Sequence, residues 1–174
     1  MHVTRFVAGA AVALGTHEAG HLVFDFIFDA DPGLTAVDFH GIPFFAITHR
    51  PNLSPRREYL VSSAGFTVQH LENEWLLGRR PNLRREHAPF LKGAFTFNVA
   101  TSVAYAGAAF AKTGPYERDT RGMSGASRVD ERVIGMLVLA PAVLDAWRYF
   151  HPESKWAAWT SRGAKVGLVL LVFR

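Results

Sequence analysis

Four long apolar stretches, separated by polar connections that carry proline and arginine, organise the sequence. The first runs from about Thr4 to Phe28 and is apolar except at His17, Glu18, His21 and Asp25; Asp29-Ala30-Asp31-Pro32-Gly33 then ends it. From Leu34 to Thr48, β-branched and aromatic residues around Gly41-Ile42-Pro43-Phe44-Phe45 predict an extended or hairpin-like insert. Pro51 and Pro55 lead into a second helix, about Arg57 to Leu77. It is apolar from Tyr59 to Val68 and polar at Gln69, His70, Glu72, Asn73 and Glu74, as a span with a wet or functional end would be. The third stretch, Pro89 to Ala111, is rich in the small residues that let helices approach closely in a bilayer. The fourth, Val133 to Phe150, is interrupted by Pro141 and Asp145, which are costly in lipid unless something uses them. A last run, Val166 to Phe173, is too short to span and predicts a docked or interfacial helix.

This pattern predicts an all-α, multi-pass membrane bundle of about four transmembrane helices, with a short extended insert after the first. A length of 174 residues suits a single unit spanning 1–174. Composition agrees: 49% of residues are apolar and the mean hydropathy is +0.07, above an ordinary soluble domain and below a chain of spans alone. Met1 to Gly15, with Arg5 before an apolar run, imitates a secretory signal, but the apolar character resumes at Leu22 to Phe28 and makes the stretch membrane-length.

The net charge of +4 changes the picture little. The basic residues cluster between apolar stretches, as in the Gly78 to His87 loop with Arg79, Arg80, Arg84 and Arg85, and do not line one helical face. That arrangement argues against nucleic acid and for the flanks of membrane helices. The expected partners are therefore lipid and a peptide or membrane-protein substrate, and the expected location is an integral membrane one, of the bacterial inner-membrane type. There is no cysteine, so any metal must be held by histidine and carboxylate.

His17-Glu18-Ala19-Gly20-His21 matches H-E-x-x-H. Residues four apart share a helical face, so two imidazoles reach one ion while the intervening glutamate stands beside them as a base. The chemistry expected is hydrolysis of a peptide bond with one zinc ion per chain and Glu18 as general base. A metal-free hydrogen-bonded His-Glu-His cluster is the bland alternative. A catalytic zinc needs a third protein ligand, for which Asp145, Glu74, Glu72 and His70 are candidates. Asp25, one turn after His21, could orient an imidazole or simply end the helix in water. His2, His40, His49, His87 and His151 lie in loops or near termini and have no assigned role.

The arrangement resembles the site-2 protease family of intramembrane zinc metalloproteases. Three segments carry the resemblance in the family's order: His17 to His21; Ala64-Gly65-Phe66-Thr67-Val68-Gln69, similar to the family's Ala-Gly-Pro-x-x-Asn; and Leu144-Asp145-Ala146, similar to its Leu-Asp-Gly. The resemblance implies His17, His21 and Asp145 on zinc, Glu18 as base, and Gln69 as a substrate-binding or oxyanion-supporting group. Phe66 stands where the family has proline, Gln69 where it has asparagine and Ala146 where it has glycine, so only the first motif matches in full. No PDZ-like insert is present, and Gly41 to Thr48 is the candidate for an edge strand that clamps substrate.

Two other readings compete with a membrane peptidase. One is a soluble or monotopic zinc peptidase with Glu74 or Glu72 as third ligand, favoured by the polar second helix. The other is a membrane scaffold that keeps a metal site without turnover, favoured by the imperfect second and third motifs.

Overall fold

A computed structural model describes residues 2–39, 42–50 and 52–171. The stretches Gly41 to Thr48 and Val166 to Phe173 therefore run partly outside the described residues, as does His40. The chain is mostly helical, in the order α1 (His2–Ile27), β1 (Gly33–Phe39), β2 (Ile42–Thr48), α2 (Pro55–Arg79), α3 (Pro89–Ala111), α4 (Asp119–Ser127), α5 (Glu131–Phe150) and α6 (Lys155–Leu170).

The boundaries follow local chemistry. Pro55 and Pro89 open α2 and α3, where the missing N–H is not needed. The Asp130 side chain caps α5 by accepting from Arg132 N at 2.8 Å. After α1, Asp29 and Asp31 take positive φ, a conformation that aspartate tolerates better than most residues, and turn the chain into the hairpin. β1 and β2 pair antiparallel, Gly33 opposite Thr48 and Thr35 opposite Ala46, and Arg50 N donates to Ala30 O at 2.7 Å to close the base.

The long helices alternate in direction, so that α1 lies parallel to α3 and antiparallel to α2. α1 and α3 touch through glycine: a methyl on Gly9 would stand 1.9 Å from Phe90 O, and one on Gly93 would stand 1.9 Å from Phe6 O. This is the backbone contact that small residues permit. α5 packs on the other side of α3, with Phe95 stacked on Tyr149 at 4.9 Å, and α6 packs against α5. The core divides into a cluster around Tyr59, Phe66, Met123, Ile134, Val138 and Leu168, and a second around Leu76, Leu77, Leu83 and Phe95.

Two helices, α3 and α5, are long and apolar enough to cross a membrane among the described residues, where the sequence led us to expect about four. α2 falls short because its C-terminal half is polar. Two further differences stand out. A helix, α4, occupies what looked like a polar loop from Lys112 to Asp130, and α6 begins at Lys155, eleven residues before the run that suggested it.

Candidate metal centre

His17 and His21 lie one turn apart on the buried face of α1, both turned toward α2 and α4. His17 fits only because residue 65 has no side chain: a methyl on Gly65 would lie 2.4 Å from the His17 ring. Gly65→Ala should therefore push the ring off its position and weaken metal binding by tenfold or more, roughly the effect of disturbing a ligand's support. Metal content after dialysis against a weak chelator checks this.

The His21 ring is fixed from behind. Its Nδ1 lies 2.8 Å from the carbonyl oxygen of Val61, which can only accept, so Nδ1 carries the proton. That leaves Nε2 facing inward, where a neutral ring offers a lone pair to a metal and a protonated one pairs with Asp119.

The third group is Asp119, at the first position of α4. Its Oδ2 lies 3.2 Å from His17 Nε2 and 3.4 Å from His21 Nε2, and the two Nε2 atoms are 3.3 Å apart. Zinc ligands at about 2.0–2.1 Å and tetrahedral angles stand about 3.3–3.4 Å from one another, so these three atoms match one face of such a site. A His17-His21-Asp119 group of this kind could hold a metal ion. Burial works to raise the Asp119 carboxyl, but the charge of His21 and the hydrogen bonds of both rings outweigh it and hold it well below the usual carboxylate range.

Both neighbours of Asp119 are clamped to one carboxylate on α5. Arg118 Nε and Nη2 donate to the two Glu131 oxygens, each at 2.7 Å, and Thr120 Oγ1 donates to Glu131 Oε1 at 3.0 Å. A bidentate, buried pair of this kind holds geometry tightly, and here it sets the angle at which α4 presents Asp119.

Glu18 is half-buried and lines a cleft of about 690 Å³ with His17, His21 and Asp119. The rest of that cleft is largely apolar, with Leu14, Phe97 and Tyr105 on its wall and Val37, Ala46 and Ile47 of the hairpin along its edge. A second, more polar cleft of about 390 Å³ also meets His21 and Asp119, shares Ile47, Glu117 and Arg118 with the first, and includes His49 and Glu58. The chain matches no protein-family model, no curated protein and no solved structure. What it does must be read from the site itself.

The other sequence-derived candidates lie elsewhere. Asp145 is not at the histidines: it is fully buried on α5, accepts from Ser161 Oγ at 2.6 Å and Arg148 Nη1 at 3.1 Å, and pairs with Lys165 Nζ at 2.9 Å. Glu74 belongs to the same cluster, held by Arg148 at 2.6 Å, Arg162 at 2.9 Å and Lys165 at 3.0 Å. Cations of the chain thus occupy the positions a metal would take. Glu72 Oε2 accepts from Asn98 Nδ2 at 3.1 Å, and His70 is buried on the α6 side of α2, beside Lys165. Gln69 is fully buried and does not line the cleft.

Asp25 does not support His21, since the Val61 carbonyl does; it lies 3.6 Å from His49 Nδ1 instead. His49, which had no assigned role, docks the hairpin onto α2 through a 2.9 Å contact to Glu58, and that bond raises its pKa above the usual 6.5. Asp119 is the residue that sequence reasoning missed. An acidic residue at the start of a helix that follows a Gly-Pro turn was the available signal.

Proposed function

We propose that the protein is a membrane-embedded zinc metallopeptidase that cuts peptide bonds at its His17, His21 and Asp119 centre. The observation that carries this is the near-equilateral triangle of donor atoms, with Glu18 beside it at the end of an apolar cleft. Three protein donors leave a fourth position open, the feature that separates catalytic from structural zinc sites.

Zinc, when bound, supplies Lewis acidity: it acidifies water and polarises a substrate carbonyl. Glu18 is placed to take the proton released as water attacks and to return it to the leaving amine. The hairpin brings Val37 of β1 and Ala46 and Ile47 of β2 to the cleft, and the outer edge of a two-stranded sheet suits an extended peptide, which could pair with it through backbone hydrogen bonds. The more polar cleft that also reaches His21 and Asp119 offers water a second approach to the site.

Lipid exposure supports the membrane part of this reading. Only 28% of the apolar window of α3 and 39% of that of α5 is buried inside the protein, whereas the core helix of a soluble protein would be mostly covered. α1 adds Val3, Val7, Val12, Val23, Phe26 and Ile27 to the exposed apolar surface, which supports reading it as a third span beside α3 and α5, with α2 as the fourth helix of the bundle.

A metal-free alternative has one observation in its favour: a proton on His21 Nε2 would make an imidazolium that pairs with Asp119. The purified protein should carry about one zinc per chain by elemental analysis. A chain that stays metal-free when offered zinc, with both histidines intact, would leave the imidazolium pair as the explanation.

A further inference from the structure

All four tryptophans of the sequence sit at the end of the bundle away from the metal centre. Trp75 lies near the C-terminus of α2, Trp147 near that of α5, and Trp156 and Trp159 at the start of α6. Each is between 46% and 70% exposed. Trp75 comes fourteen residues after Val61, the residue that supports His21, which is about 21 Å at 1.5 Å per residue. Tryptophan gathered at one level of a membrane bundle marks the depth of the headgroups.

The same end carries basic groups that its own acids do not neutralise. Arg79, Arg84, Arg85 and Lys155 are exposed and make no ion pair among the described residues. Arg84 and Arg85 line a cleft of about 400 Å³ together with Asn82, Tyr149 and Phe150. The Arg84 guanidinium lies over the Phe150 ring of α5 at 5.4 Å, and its backbone carbonyl accepts from Lys92 Nζ of α3 at 2.8 Å, so the loop is held against both helices. One carboxylate, Glu153, stands at the rim; it is 77% exposed and lies 3.8 Å from His151 Nδ1. Two guanidiniums, an aromatic wall and one peripheral acid, level with an indole collar, form a receptor for a lipid phosphate.

We infer that this cleft seats the headgroup phosphate of an anionic phospholipid, with Arg84 and Arg85 as its cationic contacts and the tryptophans fixing its depth. The inference rests on the membrane part of the proposed function and is independent of the metal. It also sets the depth of the metal centre. With a hydrocarbon layer of about 30 Å, an ion about 21 Å from the collar lies close to the opposite headgroups, within reach of water.

Intrinsic fluorescence tests this without labels, because every indole is at the end in question. The full chain is reconstituted in phosphatidylcholine vesicles containing equal fractions of either brominated phosphatidylglycerol or brominated phosphatidylcholine. The anionic quencher should act with roughly fivefold greater apparent affinity, the scale expected for one headgroup charge meeting basic side chains. Arg84→Gln/Arg85→Gln should bring the ratio close to one while leaving quenching by brominated phosphatidylcholine unchanged. Arg50→Gln/Arg128→Gln, which removes the same charge at the other end, should keep the preference. Equal quenching of the unaltered protein by both lipids would overturn the headgroup site yet leave the membrane reading standing. No quenching by either would overturn both. If inorganic phosphate at millimolar concentration abolishes the preference, the cleft takes a soluble anion and the lipid assignment is wrong.

Discussion

Replacing Asp119 by alanine is expected to cost the protein its metal, whereas replacing Asp145 should leave the metal bound and weaken the fold. Asp119 Oδ2 is the one carboxylate oxygen within 3.4 Å of both His17 and His21 Nε2 among the described residues. Zinc sites with four protein donors bind with about 10–16 kcal/mol, so one donor accounts for roughly 3 kcal/mol, or a hundredfold in affinity. Asp145 has a different part. Its removal strands Lys165 and Arg148 in a buried place, where breaking an ion pair costs about 3–5 kcal/mol. The loss should lie toward the lower figure, because Glu74 still neutralises both cations. Zinc per chain after dialysis, read beside the thermal unfolding midpoint, separates the two. The opposite pattern, zinc lost with Asp145 and kept without Asp119, would remove the assigned centre.

Glu18→Gln should abolish peptide hydrolysis and leave zinc content unchanged. Glutamine keeps the size and the position on α1 but cannot take a proton, and a positioned general base contributes about a hundred- to ten-thousandfold to rate. Glu18 takes no part in the donor triangle, so the metal has no reason to leave. Cleavage of a membrane-spanning peptide in detergent, measured on wild type and variant with matched zinc, provides the readout. A variant that cuts at the wild-type rate would show that the proton goes elsewhere, and a wild type that holds zinc yet cuts nothing would favour the scaffold reading.

The sequence revealed most where a single element carries the information. His17 and His21 share one buried face of α1 because helical spacing alone requires it, and the helices at Pro89 to Ala111 and Val133 to Phe150 were legible from their apolar runs and from Pro89 as an opener. What spacing cannot give is which elements become neighbours. Asp145 looked available because an acid inside an apolar helix needs a partner, and that argument was sound; the partner is Lys165, on a helix whose sequence suggested only its last turns. α3 packs between α1 and α5, so the face of α5 that carries Asp145 turns toward α6. Asp119 was hidden for the converse reason. Its surroundings are polar and short, and nothing local in Lys112 to Asp130 records that Glu131 will pull both of its neighbours inward.

That pull from Glu131 has a consequence for how the protein is made. Translation delivers the two imidazoles first, about a hundred residues ahead of the aspartate, and the aspartate is aimed only after the start of α5 has emerged and folded. Between those two points the nascent chain holds a pair of histidines without a carboxylate to complete their grip. If the centre is the peptidase proposed above, it stays incomplete while its own unfolded segments are the nearest peptides, and becomes complete only once α5 has begun to fold.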